Sequence, residues 1–402
     1  MTRKPKAIIV GGGIGGLCAA IALKRIGWTA TVFEQAPELR EVGSAVQTWP
    51  NASNAMDKLG ILEGYDAAAE EIVDGQIGTR YGEPMICMHV PTIKRKTSYK
   101  GYSIHRHEFL EVLMSYLDIE NDVIVGARSK KFEETSDGVR LTLEDGRTVE
   151  GDLLIGADGL NSQIRSQLGT GNQPRYAGYI AWRGLLDWTF HKRFAGYFGI
   201  YVGNGGNVGF YPMTKGRTYW FVTKNKPPGE PHDPVAAKKE IQEYVSGWAD
   251  PVPEMIDRTP TETILRNDIS DLMPTKVWGK GRVTLMGDAA HATTPNIGQG
   301  ACMAVEDAVA LAARLQKMDD LSVLPSELRK YERERYDRTH WIVTRSRMIG
   351  EAVQLDSPIK EGIRDAILKH MPPNFISQQT QSIYLYDSPR VDPAPSLELV
   401  SS

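Results

Sequence analysis

Cysteine is scarce in this sequence: Cys18, Cys87 and Cys302 are its three thiols, and no CxxC pair occurs. That excludes a disulfide framework, a thiolate zinc site and a dithiol redox pair, and no metal site is expected. An excess of one charge is lacking too. Lys and Arg number 47 against 50 Asp and Glu, a net charge of −3, so no general electrostatic footprint exists for nucleic acid or an anionic membrane. Lys94-Arg95-Lys96 is typical of the basic clusters, which are short. No uncharged run approaches the ~20 residues of a membrane span. The apolar stretch after Met1–Lys6 is broken by glycines within five residues, unlike a signal peptide. Internal repeats and low-complexity segments are missing as well. These absences lead us to expect a soluble, cytoplasmic protein with no nucleic-acid partner and no stable membrane association. At 402 residues, it should hold about two to three domains.

What is present begins with a β-α-β unit. Ala7-Ile8-Ile9-Val10 reads as a strand ending in glycines, Leu17 to Ile26 as a helix stopped by Gly27, and Ala30-Thr31-Val32-Phe33 as a second strand. A right-handed crossover feeds a parallel sheet, so the fold begins as α/β. His107 to Leu117 looks helical, Val139 to Val149 reads as a hairpin around Asp145-Gly146, and Leu153 to Ala157 as a buried strand. From Tyr176 to Val222 aromatics and glycines replace helical patterns, which predicts an inserted antiparallel sheet. A proline-rich link follows (Pro227-Pro228, Pro231, Pro234). The strand Arg282 to Met286 and a helix from Gly300 to Leu315 then restore α/β character and are expected to rejoin the first sheet. The last fifty residues read as helical, then polar and frayed after Ser388.

Three motifs carry chemistry. Gly11, Gly13 and Gly16 form GxGxxG between strand and helix, where a pyrophosphate can approach the backbone and meet helix N–H donors. Glu34, ending the second strand, is placed for a ribose 2′-hydroxyl and repels a 2′-phosphate, so the bound dinucleotide is NAD-like or FAD. Asp158-Gly159-Leu160-Asn161-Ser162-Gln163-Ile164-Arg165 has the form DGxxSxxR; by itself it is equally a capped helix start. Gly287-Asp288 ends a strand, and Pro295 to Gly300 adds a turn whose amides suit an anionic ring edge. His291 reads as a structural histidine, with no His, Cys or acid spaced to complete a triad.

In this order, GxGxxG with Glu34, then Arg106, DGxxSxxR, Gly287-Asp288, Pro295 and Gly298-Gln299-Gly300 resemble the class A FAD-dependent monooxygenases, the single-component aromatic hydroxylases, from about residue 5 to 350. Trp49-Pro50-Asn51, Tyr176 to Tyr179 and Thr294 to Gly300 are most similar to the branch holding urate hydroxylase, 3-hydroxybenzoate 6-hydroxylase, 6-hydroxynicotinate 3-monooxygenase and zeaxanthin epoxidase. The resemblance implies a Rossmann-like FAD-binding domain (1–73, 100–174, 276–350), an inserted, mainly antiparallel β substrate domain (74–99, 175–275) and a C-terminal helical segment and tail (351–402). It implies that Glu34 binds the adenosine ribose, and that Arg106 approaches the ribityl chain and pyrophosphate. Asp158 would serve FAD and the nicotinamide co-substrate, and Asp288 the ribityl chain. Pro295 would face the reacting flavin edge, and the amides of Gly298, Gly300 and Ala301 the reduced ring.

The implied reaction has NADH or NADPH reduce FAD, O2 add at flavin C4a, and the distal oxygen of the hydroperoxide pass to a small aromatic or heteroaromatic substrate. The enzyme would be a monomer or homodimer. Urate-hydroxylating members use an arginine where this chain has Asn207, while their partner tyrosine is kept as Tyr219, which counts against urate. Arg183, Tyr211 and Tyr219 are the candidate substrate-facing residues, and either tyrosine or a water chain the candidate proton acceptor. Which face of the inserted sheet lines the site stays open from sequence. An oxidase, reductase or epoxidase on the same fold, and a non-enzymatic FAD-binding protein, are the alternatives.

Overall fold

Lys6–Val10 is the centre of a five-stranded parallel sheet in the order Val283–Leu285, Leu153–Gly156, Lys6–Val10, Thr29–Phe33, Val123–Ile124. The computed structural model describes residues 3–39, 45–89, 95–188, 196–372 and 382–394. Residues 7–10 and 153–156 of the central strands are apolar and buried on both faces, as a sheet covered by helices requires. Helix Ile14–Arg25 packs against helix Gly300–Leu315, whose bounds match those read from its Ala- and Val-rich pattern. Strand Val283–Leu285 pairs with Leu153–Gly156, in register Leu154 to Val283, so a segment late in the chain completes the first sheet.

The second sheet has seven strands in the order Leu265–Leu272, Pro174–Leu186, Arg217–Asn225, Gly206–Met213, Tyr197–Gly203, Asp74–Thr79, Pro84–His89. Every pairing is antiparallel except Tyr197–Gly203 with Asp74–Thr79. Alternation gives it two unlike faces. One carries Ile180, Trp182, Val208, Phe210, Trp220 and Val222, packed with helices Pro234–Tyr244 and Val252–Arg258. These helices are a correction: the proline-rich stretch leads into a helix, with Pro234 at its first turn and Asp233 accepting from the N–H groups of Val235 and Ala236. The other face is open to a cavity.

Two three-stranded sheets complete the β structure: the 139–149 hairpin with Ser129–Glu134, and Ala45–Thr48, Gly101–His105, Glu70–Ile72. Helix Leu324–Val353, rich in Arg and Glu, buries Arg335, Tyr331 and Ile342 against helix Gly300–Leu315. Helix Pro358–Lys369 follows. No described helix is long and apolar enough to cross a membrane, and all three cysteines are free thiols.

Candidate active site

The glycine loop divides its labour. Gly11 has φ +109°, and a Cβ there would lie 2.3 Å from the Ala157 carbonyl oxygen; a Cβ on Gly16 would lie 1.9 Å from the Gly11 oxygen. Both positions are therefore closed to any side chain by the protein itself. Gly13 differs: its φ of −77° is ordinary, and a Cβ would meet only Arg106 Nη2, at 3.7 Å. The space beside Gly13 is thus open, faced by a guanidinium and by the N-terminus of helix Ile14–Arg25, as a pyrophosphate requires. Glu34 accepts from the N–H of Gly12 (2.6 Å) and of Ala36 (2.8 Å), bracing this loop. A carboxylate has about four acceptor sites, so two remain for a diol.

Asp158 and Ser162 cap helix Gln163–Leu168. Asp158 accepts from Ser162 Oγ (2.5 Å) and the N–H of Gln163 (2.8 Å), and Ser162 Oγ accepts from the N–H of Arg165. Burial pushes the Asp158 carboxyl up, against these hydrogen bonds. Arg165, 2 % exposed, donates to the carbonyls of Leu160 and Ala289 and so joins the motif to the turn after Asp288. Asp288 itself is exposed, with Oδ1 4.0 Å from where a Gly300 Cβ would stand.

Behind these loops lies a buried ionic network that the motif reading missed. Glu306, Asp307 and Arg335 are each 0 % exposed. Asp307 accepts from His291 Nε2 (2.6 Å), the Gly287 N–H (2.9 Å) and Arg335 Nε (2.7 Å). Glu306 accepts from Arg335, Arg338 and Asn51, and Asn51 Nδ2 also donates to Gln299 Oε1 at 2.9 Å. Burial alone would raise both carboxyls, but Arg338 and Arg335 hold Glu306 below its ordinary range, and His291 and Arg335 do the same for Asp307. The two acids fix Gly287, next to Asp288, and Gln299, inside the ring-edge turn. His291 is structural as expected, but it does have an acid partner, supplied by a helix sixteen residues on. Two adjacent acids in an Ala/Val helix were the available signal.

The ring-edge turn borders a cavity of about 470 Å³ lined by Pro295, Gly298, Arg183, Tyr211 and Tyr219 among others. Gly298 has φ +65°, and a Cβ there would stand 3.0 Å from Trp49 Nε1. Trp49 Nε1, Gln47 Nε2 and Gln299 Nε2 are buried donors without a partner among the described residues. Buried donors are nearly always satisfied, so this cluster fits a polar ring edge such as that of a flavin. Ala301 sits in the first turn of the helix that follows.

The cavity floor is the open face of the seven-stranded sheet, and this answers which face lines the site: Ala181, Arg183, Asn207, Tyr211, Tyr219 and Phe221 face inward, while Trp182 and Phe210 lie behind. Tyr211 stacks on Phe198 at 5.5 Å. Arg183 has no hydrogen bond or ion pair among the described residues and stands near enough to Tyr219 to oppose the upward push of burial on its phenol. Tyr211 is pushed up by burial as well. Both phenols therefore stay protonated at neutral pH and can donate a hydrogen bond into the cavity. The Asn207 side chain accepts from Thr223 Oγ1, which also takes a hydrogen bond from Gln354.

Comparison with known proteins gives the family. Residues 4–346 match the model of an FAD binding domain family. The aurachin C monooxygenase/isomerase of Stigmatella aurantiaca is 38% identical over 374 residues, 93% of this chain and 96% of its own. An FAD-dependent urate hydroxylase of Klebsiella pneumoniae is 36% identical over 346 residues, 85% and 88% of the two chains. The crystal structure of Klebsiella pneumoniae HpxO complexed with FAD and uric acid superposes with a TM-score of 0.88 at 32% identity, covering 96% of this chain and 97% of that one. The chain belongs to this FAD-binding family, as an FAD-dependent monooxygenase of the aromatic hydroxylase type.

Proposed function

We propose that the protein uses NADH or NADPH and O2 to hydroxylate an electron-rich aromatic or heteroaromatic substrate. The observation that carries this reading is the convergence of Pro295 and Gly298 with Arg183, Tyr211 and Tyr219 on one cavity. Bound FAD supplies the electron transfer and oxygen-transfer chemistry. The Gly13 opening, Arg106 and the helix N-terminus hold its pyrophosphate, Glu34 and Asp288 its hydroxyls, and the amides of Gly298, Gly300 and Ala301 its ring edge. We assign residues 1–73, 100–174 and 276–350 to this unit and 74–99 and 175–275 to substrate binding.

The remaining work falls to the cavity walls. Arg183 pairs with a carboxylate or enolate oxygen of the substrate. The protonated hydroxyls of Tyr211 and Tyr219 donate to its polar edge, and Phe198 and Phe221 present ring surfaces to its plane. Apolar walls exclude water, which protects a reactive oxygen donor from decay and fixes the reacting carbon. Asn207, a neutral group already engaged by Thr223, favours a substrate other than urate. The test is a panel of phenols, aromatic acids and N-heterocycles with the FAD-loaded protein under labelled O2. Substrate-dependent NAD(P)H oxidation with one labelled oxygen in the product supports the reading. Consumption of NAD(P)H that yields only peroxide with every compound sinks it in favour of an oxidase.

A further inference from the structure

The cavity is far wider than one aromatic ring. A single ladder row crosses its floor: Arg183 opposes Phe221, Phe221 opposes Gly209, Gly209 opposes Ile200, Ile200 opposes Ile77, and Ile77 opposes Ile86. Directly opposed residues share a face, and each step is ~4.8 Å, so the five steps span about 24 Å. The row changes character midway. Its first half, with Tyr219, Tyr211, Asn207 and Thr223 on flanking rows, carries the polar groups of the floor. Gly209 marks the change: the Phe221 ring covers it, with Cε1 2.2 Å from where a Cβ would stand.

Beyond Gly209 the floor is Ile200, Val202, Ile77, Ile86 and Met88, and helix Pro358–Lys369, which packs on strand Pro84–His89, brings Leu368 to the cavity. Arg364 lines this half too, but its guanidinium is engaged by Asp365 and by the carbonyls of Ala352 and Val353. No acid lines any part of the cavity among the described residues. A site built only for a small ring would close this space with interlocking side chains, since interiors pack to crystal density. An apolar space without polar partners does not hold water and takes apolar ligands instead.

We infer that the substrate is an amphiphile: an aromatic or heteroaromatic head at Arg183 and the ring-edge turn, carrying an aliphatic tail that runs across the sheet to Ile77 and Ile86. This rests on the proposed hydroxylation and narrows its substrate class. Polar heads with small substituents fill the first half alone and leave the second half empty.

The test uses the FAD-loaded protein and two head groups, resorcinol and hydroxyquinoline, each unsubstituted and with propyl, pentyl and heptyl chains. Dissociation constants are read from the change in flavin absorbance. Burial of each methylene contributes ~0.8 kcal/mol, so affinity should rise up to about fourfold per methylene. Ile77→Asn and Ile86→Asn should each flatten that chain-length slope, with flavin occupancy and thermal midpoint confirming a folded holoprotein. A flat series in the unmodified protein, with unsubstituted heads still perturbing the flavin and being hydroxylated, overturns the tail site alone. A slope that survives in both variants also overturns it. No response to any head overturns the tail site together with the proposed function.

Discussion

Replacing Arg335 with Met should destabilise the protein far more than a surface arginine would. The guanidinium lies between two carboxylates that are fully buried with it, donating Nε to Asp307 and Nη2 to Glu306, each at 2.7 Å. Met preserves the aliphatic stem and removes the charge and both bonds. Glu306 keeps Arg338 and Asn51, and Asp307 keeps His291 and the Gly287 N–H, so neither acid is wholly abandoned. Removing one partner of a buried pair costs about 3–5 kcal/mol, a large share of a typical total of about 5–15 kcal/mol.

With an m-value of about 3 kcal/mol/M, the urea midpoint should fall by on the order of 1 M. The pH dependence identifies the cause. In the native protein both carboxyls lie below their ordinary range, so their contribution is present above that range and lost as pH falls through the depressed values. Without Arg335 the depression shrinks, because burial is then opposed only by Arg338 and Asn51 at Glu306 and by His291 and the Gly287 N–H at Asp307. The penalty should then be largest near neutrality and narrow as acid protonates the stranded carboxylates. Urea titrations at about pH 7 and about pH 5, followed by tryptophan fluorescence, measure both quantities. A loss under ~1 kcal/mol near neutrality, or one equal at both pH values, would refute the ionic account and leave only a packing defect.

Gly13→Val should abolish FAD retention in a protein that still folds, because φ is ordinary there and a Cβ stands no closer than 3.7 Å to Arg106 Nη2; full flavin occupancy in the purified variant would remove this loop from the cofactor site. Asp288→Ala should weaken FAD binding about tenfold to a hundredfold, the effect of losing one charge-assisted hydrogen bond of ~1.5–3 kcal/mol, and equal FAD affinity by titration would move Asp288 out of the site. Arg183→Leu should raise KM for an anionic substrate by ~2–5 kcal/mol equivalent if the pair is desolvated, with flavin occupancy kept; an identical KM would make Arg183 a wall residue only.

The nucleotide half was legible because its signals are local. A strand, a glycine run and an apolar helix follow one another within residues 6–25, and helix Gly300–Leu315 has its glycine start and its buried stripe in one segment. The inserted sheet was legible as a sheet, but not by face. Tyr211 and Phe210 are equally plausible lining residues until helices Pro234–Tyr244 and Val252–Arg258 cover one side, and those helices start in a proline-rich stretch that reads as a link. Arg335 was hidden for the opposite reason. It sits among the charged residues of Leu324–Val353, where nearly every neighbour suggests a solvated helix, and only the facing Glu306-Asp307 pair explains its burial. Asp158 shows the limit of a motif: the structure gives its carboxylate the helix-capping role that the residues alone already allowed.

The two sheets also explain how the candidate cofactor and substrate groups are kept apart along the chain. All strands of the first sheet run parallel, so their C-terminal ends share one edge. There Gly11–Gly16 follow Val10, Glu34 follows Phe33, Asp158 follows shortly after Gly156, and Gly287-Asp288 follow shortly after Leu285. Ligand groups gather at such an edge because the backbone leaves the sheet there and turns into helices. The second sheet works by alternation instead. Each cavity residue is flanked along its strand by residues of the opposite face, as Arg183 is by Trp182 and Gly184, and Tyr219 by Thr218 and Trp220. A cavity-facing side chain can therefore change while its neighbours keep the Trp182–Phe210–Trp220 core intact. The glycine-loop edge, by contrast, tolerates little, since Gly11 and Gly16 are closed by backbone atoms of the chain just where it leaves the sheet. Side chains are free to vary on the face where they alone line the cavity, and are constrained where backbone atoms close the space.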